Sequence, residues 1–264
     1  MISGSGWSGG RIETPEMFQE TFGVSRETVE RLKTYEAQLR AWQKAVNLVS
    51  PVTLDEIWHR HFADSAQLLE LGLFPPASPP PCGEGSGVGG IPTSGVLESP
   101  PPGLPHKGGR EVRGGKSWLD LGSGGGFPGL VLAILLAERR PEARMTLVES
   151  DSRKAAFLGD VARKTGVAVE IRTERSEKYA TQAKSQIRDV ITARALAPLP
   201  KLLGLVLPFF SPQTVALFPK GREAEVEVGE AKERFEFDFS LVPSLTDAQA
   251  RIVIMRNLAA KAEG

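Results

Sequence analysis

Four glycines form the part of this chain that is best suited to hold a ligand. They are Gly122, Gly124, Gly125 and Gly126. Residues 117–121 before them are mostly apolar, as in a buried parallel strand, and Pro128 after them fits the first turn of a helix. Because glycine has no Cβ, such a loop turns sharply and approaches a ligand closely, and the free N–H groups of the helix would face that ligand.

The spacing of the glycines separates two kinds of nucleotide-binding loop. The dinucleotide fingerprint G-x-G-x-x-G requires its third glycine at position 127, which is Phe127. The pattern present is acid-x-Gly-x-Gly-x-Gly, beginning at Asp120. This variant resembles the S-adenosylmethionine (SAM) loop of Rossmann-like methyltransferases. A glycine-rich turn that merely connects a strand to a helix is the structural alternative.

Two further groups of polar residues are expected beside this loop, at the carboxyl ends of the second and third strands. Glu149 closes the second strand, where a carboxylate can accept hydrogen bonds from both hydroxyls of a ribose. Ser176 and Glu177 follow the third strand, where backbone and side chain can recognise an adenine edge. A plain strand-end acid at Glu149 and a helix cap at Ser176 are the alternatives.

The acceptor would lie beside Thr-Ala-Arg-Ala, residues 192–195, after the fourth strand. Enzymes that methylate exocyclic amines of bases carry an Asn/Asp-Pro-Pro-aromatic motif there, which this chain lacks. Methylation of pyrimidine carbon 5 needs a thiolate, and the single cysteine, Cys82, lies in a Pro/Gly-rich segment. Acceptors that need no deprotonation remain, and guanine N7 is one, because its methylation needs alignment more than a general base.

Three helices are predicted before the first strand. They extend over residues 15–22, 26–46 and 54–71. Thr53 is the expected cap of the third helix and Gly72 its expected end. His61, Asp64 and Ser65 share a face of that helix, because they lie three and four residues apart. A histidine beside a carboxylate suggests a catalytic dyad, although such a pair is more often a hydrogen-bonded packing contact.

Strands and helices alternate after residue 116, and the chain ends helix–strand–strand. This order predicts an α/β fold, a parallel, doubly wound sheet with an antiparallel hairpin at one edge. The predicted fold is therefore the seven-stranded, Rossmann-like SAM-dependent methyltransferase fold, with an N-terminal helical extension. The predicted divisions are a flexible tail (1–13), a helical subdomain (14–74), a disordered insert of which half is Pro or Gly (75–116), and a SAM-binding domain (117–264).

The composition limits the classes of partner. The 264 residues carry 32 basic and 32 acidic side chains, so nucleic-acid binding requires a local basic patch. One cysteine and three histidines disfavour disulfides and structural zinc, and no metal site is expected. The N-terminus has no signal-peptide pattern, and the apolar runs are too short to span a membrane. A cytoplasmic protein is therefore expected.

The chain resembles the RsmG (GidB) family of bacterial small-subunit rRNA guanine-N7 methyltransferases. The resemblance covers residues 29–258 apart from the insert, and five stretches carry it in family order. They are Asn47-Leu-Val-Ser, Arg60-His-Phe-Ala-Asp-Ser65, the stretch from Leu119 to Gly129, Arg194-Ala-Leu196 and Lys220-Gly221. The Phe-Pro-Gly end of the glycine loop and the Arg-His-x-x-Asp-Ser pattern are the most specific.

The resemblance implies that SAM is the cofactor and that one guanine of 16S rRNA, position 527 in the family's target, is methylated at N7. The implied SAM contacts are Gly122, Phe127, Ser176, Glu177 and Arg194. The residues implied around the mouth of the active site are His61, Asp64, Ser65 and Lys220. The glycine loop adds Gly124 to these contacts, and the end of the second strand adds Glu149. Arg194 is the expected catalytic residue, orienting the cofactor carboxylate or the target base rather than removing a proton.

The implied partner is 16S rRNA or a small-subunit particle, and the protein is expected to act as a monomer away from membranes. Two features depart from the family pattern: the insert, and Glu149 where relatives often have Asp, which preserves the carboxylate. Two other functions stay open. A nicotinamide-dependent oxidoreductase is disfavoured by Phe127, and a non-catalytic RNA-binding module is disfavoured by the intact glycine loop and the near-zero net charge.

Overall fold

The computed structural model describes residues 10–75, 115–183 and 186–262. Most of the predicted tail, nearly all of the predicted insert, and Cys82 lie outside these residues.

Side-chain caps fix the starts of the first two helices. The Thr14 hydroxyl accepts a hydrogen bond from the N–H of Met17 at the start of α1 (Pro15–Phe22), and Ser25 does the same for Thr28 at the start of α2 (Arg26–Gln43).

The third predicted helix is divided into three parts. A 3₁₀ turn (Pro51–Thr53) and a π-helical segment (Trp58–Ala63) precede α3 (Asp64–Leu73). The prediction that Thr53 caps a continuous helix is therefore wrong, because the Thr53 hydroxyl instead donates to the Ser50 carbonyl at 2.9 Å and closes the turn. The prediction for α2 was also three residues too long.

Gly72 lies inside α3 and does not end it, which corrects its predicted role. A Cβ on Gly72 would lie 2.3 Å from the ring of Trp118. Trp118 is fully buried in the first strand. The glycine is therefore required for close packing of the helix against the sheet, rather than for a left-handed helix terminus.

Seven strands form one sheet in the part of the chain that the structure describes, in the order β3-β2-β1-β4-β5-β7-β6. The strands are β1 (Ser117–Leu121), β2 (Arg144–Val148), β3 (Val169–Arg172), β4 (Val190–Ala193), β5 (Val215–Lys220), β6 (Phe235–Pro243) and β7 (Arg251–Ala260). The first five run parallel, and β7 is antiparallel to both of its neighbours. The predicted sheet with an antiparallel edge is thus confirmed.

Helices cover both faces of the sheet. They are α4 (Gly129–Arg139), α5 (Ser152–Thr165), α6 (Ser176–Gln182), α7 (Leu199–Val206) and α8 (Ala224–Lys232). One apolar core joins α4, α5 and the N-terminal helices to the sheet, and a second lies under α6, α7 and α8. The strand order reverses between β1 and β4, so a crevice opens at the carboxyl ends of these two strands.

The N-terminal helices pack directly over α4. Every residue from Gly129 to Leu136 is buried, because α4 has the sheet on one side and α2 and α3 on the other. The side chains of Leu32, Tyr35 and Phe62 belong to the same core as those of α4. The N-terminal helices are therefore held against the sheet at the crevice.

We expect Gly72→Ala to destabilise the protein and Gly204→Ala to stabilise it. The first adds a Cβ that collides with buried Trp118, at a cost of about 1–3 kcal/mol. The second lies inside α7 with nothing within 4 Å of the added Cβ, and alanine should raise the free energy of unfolding by about 0.5–1 kcal/mol. Urea unfolding of both variants tests this. Equal changes in the free energy of unfolding would show that Trp118 does not restrict the residue at position 72.

Candidate active site

A cleft of about 370 Å³ lies at the carboxyl ends of β1, β2 and β4, a volume in the range of small-ligand sites. The cleft is bounded by the glycine loop, the segments after β2, β3 and β4, and one residue of the N-terminal region. Its lining includes Leu48, Gly122, Ser123, Gly124, Gly125, Phe127, Glu149, Ser150, Lys154, Arg175, Ser176, Glu177, Arg194, Ala195 and Leu196. All seven predicted cofactor-binding residues are among them.

The backbone of the glycine loop is fixed by its neighbours. The N–H groups of Gly122 and Ser123 donate to the last carbonyl of β2, at 2.9 and 3.0 Å. On the outer side, the buried hydroxyl of Tyr35 donates to the carbonyl of Gly125. A Cβ on Gly126 would lie 2.2 Å from that hydroxyl, whereas a Cβ on Gly124 would meet only a carbonyl at 3.8 Å. Gly124 therefore leaves space on the cleft side of the loop.

Glu149 is a buried carboxylate whose two oxygens are each held by one backbone N–H. Gly124 donates to Oε2 and Asp151 donates to Oε1, both at 2.8 Å. A carboxylate oxygen has two acceptor positions, so each retains one. This geometry goes beyond a plain strand-end acid, because it directs the carboxylate at the loop and leaves it able to accept two more hydrogen bonds.

Ser176 and Glu177 lie in the first turn of α6, on the opposite wall of the cleft. Ser176 is buried, and Arg175 occupies the cap position with no side-chain cap bond. The alternative that Ser176 caps the helix is therefore wrong. Glu177 is exposed, and its carboxylate lies 3.8 Å from the ammonium of Lys201.

Arg194 follows β4 and joins three segments that are distant in the sequence. Its Nη1 lies 2.9 Å from Oδ2 of Asp64, and its Nη2 lies 3.0 Å from Nδ1 of His61. The guanidinium carbon lies 5.3 Å from the ring centre of Phe127, which is a cation–π distance. The next residue, Ala195, has a φ of 52°, a conformation that costs a residue with a Cβ free energy and that clusters at functional sites.

The partners of His61 define its tautomer. A guanidinium only donates hydrogen bonds, so Nδ1 of His61 must accept from Arg194. Nε2 therefore carries the proton and donates to the Thr53 hydroxyl at 2.8 Å, and this hydroxyl donates to Ser50. Burial, together with the charges of Arg194 and Arg60, lowers the pKa of His61 to about 3.

The geometry argues against a His61–Asp64 catalytic dyad. The two side chains do not bond to each other, and both accept hydrogen bonds from Arg194. The other oxygen of Asp64 accepts from Gln67 and from Thr246, at 3.0 and 2.8 Å. His61 is neutral with both nitrogens engaged, so it holds the arginine and does not act as a base.

Phe127 is the centre of an aromatic stack at the end of the loop. Its ring is parallel to Tyr35 within 10°, with centroids 5.4 Å apart, and it stacks on His61 at 4.7 Å. The ring also lines the cleft. Phe127 therefore joins the glycine loop to the N-terminal helices. It stands at the position where a dinucleotide loop has its third glycine.

None of the four residues implied at the mouth lines the cleft: His61 and Asp64 contact it only through Arg194, and Ser65 and Lys220 lie behind its walls. The Ser65 hydroxyl is buried and donates to the His61 carbonyl at 2.7 Å. The ammonium of Lys220 lies 2.9 Å from the carbonyl of Ala197 and 2.8 Å from a carboxylate oxygen of Glu227. Both side chains support the walls of the cleft from behind.

The sequence analysis did not identify three residues that shape the site. Tyr35 holds the glycine loop, Thr53 holds His61, and Leu48 lines the cleft. Only Leu48 had a usable signal, because it lies in the Asn47-Leu-Val-Ser stretch. Tyr35 and Thr53 act across long sequence separations, and no local pattern marks them.

Asp120, the acid of the loop pattern, is fully buried beneath the start of α4. Thr192 donates to its Oδ1 at 2.7 Å. Its Oδ2 is so close to Gly129 that a Cβ on that glycine would lie only 2.5 Å from it. Burial raises the pKa of Asp120 to about 6. The first turn of α4 thus faces a side chain of the protein itself, and not a ligand as the sequence suggested.

No three His, Cys, Asp or Glu side chains in ranges 10–75, 115–183 and 186–262 are arranged to hold a metal ion. None of the helices within those ranges combines the length and apolarity needed to cross a bilayer.

The chain is similar in sequence to known proteins over most of its length. Residues 107–254 match the sequence profile of a family described as rRNA small subunit methyltransferase G (GidB). A protein of Parvibaculum lavamentivorans named Ribosomal RNA small subunit methyltransferase G is 42% identical over 95% of this chain and 93% of its own. A protein of the same name from Methylobacterium sp. is 41% identical over 89% of this chain and 92% of its own.

A solved structure shows the same fold. The O-methyltransferase from Bacillus cereus, in complex with SAH, covers 91% of this chain and 100% of its own, with a TM-score of 0.51. Its sequence is 14% identical, so the likeness concerns the fold alone.

We expect His61 to remain neutral, with its proton on Nε2, from pH 8 to about pH 5, as read from its ¹⁵N chemical shifts. The pKa of an unfolded histidine is about 6.5, so the unfolded chain binds the proton first and the free energy of unfolding falls as pH decreases from 6.5 toward 3. His61→Gln, which can accept from Arg194 and donate to Thr53, should reduce that pH dependence. An imidazolium spectrum at pH 5.5 would contradict the assignment.

Proposed function

This chain belongs to the rRNA small subunit methyltransferase G (GidB) family, and on that premise we propose that it transfers a methyl group from SAM to N7 of a single guanine in 16S rRNA. It is an rRNA methyltransferase, and SAM is its cofactor. Its partner is 16S rRNA or the small-subunit particle, which implies a cytoplasmic location. The monomeric state stays a prediction.

The observation that carries this proposal is the set of groups along the cleft. Glu149 has two free acceptor positions for the ribose hydroxyls, and Gly124 leaves room for the backbone to approach the ligand. Ser176 and Arg194 both line the cleft, Ser176 where it would face the adenine and Arg194 where its guanidinium would bind a carboxylate. These donors and acceptors fit SAM.

The reaction at N7 needs no general base, which agrees with the hydrogen bonds of His61. SAM supplies an electrophilic methyl group on a sulfonium. The lone pair of guanine N7 forms the new N–C bond, the electrons of the broken S–C bond remain on sulfur, and the positive charge passes to the guanine. No proton is released, so His61, neutral and bonded at both nitrogens, is not required as a base.

Arg194 then has an orienting role. Asp64 and His61 fix two of its nitrogens, which reduces the conformational freedom that binding would otherwise remove. The fixed guanidinium orients the cofactor carboxylate or the target base. The target guanine must be unpaired or flipped out, because N7 faces the deep, narrow groove of A-form RNA.

Phe127 argues against a nicotinamide-dependent oxidoreductase. Its ring lies between Tyr35 and His61 at the position where the dinucleotide loop needs a glycine. In a thermal-shift measurement we therefore expect SAM, and not NADH, to raise the melting temperature. A non-catalytic RNA-binding protein would have no use for the cleft geometry at Glu149.

The decisive experiment is methyl transfer from labelled SAM to small-subunit particles that lack the modification, with the base mapped by N7-sensitive strand cleavage. We expect label on a single guanine. SAM binding without label on RNA would retain the fold and reject the substrate, and label on an exocyclic amine would reject the proposed chemistry.

We expect Arg194→Ala to lower kcat/KM for RNA methylation by about 100-fold, because a misplaced cofactor or base loses the alignment that the reaction requires. Arg194→Lys should recover only part of the activity, since an ammonium cannot reproduce the planar fork that contacts Asp64 and His61. Arg144→Ala, an exposed arginine at the amino end of β2, is the matched control. Wild-type kinetics in Arg194→Ala would refute the orienting role.

A further inference from the structure

A cluster of exposed residues lies beside the cleft, and none of their side chains makes a hydrogen bond in the site described above. We call it the entry wall. It consists of Asn47, Ser50, Pro51, Val52 and Arg60. All five side chains are exposed, and all belong to the segment between α2 and α3. The inference drawn from this surface rests on the proposed RNA methylation.

Three contacts place the entry wall at the end of the cleft that contains Arg194. Leu48, which follows Asn47, lines the cleft, and its carbonyl would lie 3.0 Å from a Cβ on Gly125. The carbonyl of Arg60 lies 3.4 Å from Nη1 of Arg194. A nucleic-acid strand entering at this end therefore passes the entry wall.

The backbone of the entry wall is held rigidly although its side chains face solvent. The amide oxygen of Gln43 accepts from the N–H groups of Leu48 and Val49 at 3.0 and 3.1 Å, and its nitrogen donates to the Val49 carbonyl at 2.8 Å. Thr53 connects the other end to His61 at 2.8 Å. A backbone that is already fixed spares the ordering of the loop that binding would otherwise cost.

Arg60 is the cationic group of this surface. No carboxylate lies within ion-pair distance of its guanidinium among the residues that the structure describes, whereas Arg11, Arg31 and Arg40 of the same helical region are each ion-paired. Since the net charge of the chain is zero, an unpaired arginine beside the cleft supplies the local positive charge that a phosphate needs.

Val52 is the apolar group of the same surface. It is 86% exposed, the most exposed large apolar side chain in ranges 10–75, 115–183 and 186–262. Pro51 beside it is also exposed. An apolar face next to an unpaired arginine is suited to unpaired RNA, which presents base faces and phosphates together.

We propose that the entry wall binds the unpaired RNA strand next to the target guanine. Arg60 pairs with a backbone phosphate, and Val52, with Pro51, packs against the face of a neighbouring base. The contacts position the strand so that the guanine enters the cleft beside Arg194. They act on RNA and not on SAM.

The test compares Arg60→Gln and Val52→Ser with matched controls at the amino edge of the sheet. The controls are Arg144→Gln, an exposed arginine, and Ile187→Ser, a 48% exposed apolar residue. Methylation of unmodified small-subunit particles is measured at several salt concentrations, and SAM binding is measured by calorimetry. We expect each entry-wall variant to raise KM for the particle about tenfold, with SAM affinity unchanged.

The salt dependence separates the two residues. Arg60→Gln should reduce the slope of log KM against log salt by about 0.7, the value for one phosphate contact on single-stranded nucleic acid, and Val52→Ser should leave the slope unchanged. KM values equal to those of the controls would overturn the inference while leaving the proposed function intact. A wild-type protein that leaves the RNA unmethylated would overturn both.

Discussion

The bonds made by the Arg194 guanidinium join the N-terminal helices to the carboxyl edge of the sheet, and the architecture of the cleft depends on them. Asp64 balances its charge, and His61 accepts its second hydrogen bond. Because a guanidinium can only donate, Nδ1 of His61 must accept, and the proton of the imidazole is on Nε2. Nε2 then donates to the Thr53 hydroxyl, which donates to the Ser50 carbonyl. One charged group thus organises segments that are more than a hundred residues apart.

Close packing explains several glycines that a motif alone would assign to ligand binding. The hydroxyl of Tyr35 packs where a side chain at position 126 would collide with it. Leu196 packs in the same way against Gly122, at 2.6 Å from the position of a Cβ. The carboxylate of Asp120 likewise packs directly against Gly129. The glycine loop is therefore compressed between the N-terminal helices and the segment after β4, and Gly124 remains as the position that leaves space toward the cleft.

The close packing around the glycine loop buries the carboxylate of Asp120. The carboxylate is fully buried, receives a hydrogen bond from Thr192 and has no partner for Oδ2 among the described residues. Burial raises its pKa to about 6, while the hydrogen bond from Thr192 and the start of α4 act in the opposite direction. The acid of the motif consequently connects β1, β4 and α4 and does not contact the cleft.

The sequence by itself determined the fold class, the glycine loop and the position of Glu149, because each depends on local features: apolar runs, turn residues and the end of a strand. Only the tertiary structure decided that His61 and Asp64 both serve Arg194, that Tyr35 holds the loop and that Gly72 accommodates Trp118. It also divided the third helix, since Thr53 closes a turn and bonds to His61 instead of capping a helix. These features arise from contacts between residues distant in the sequence, and periodicity and spacing carry no information about which distant side chains will meet.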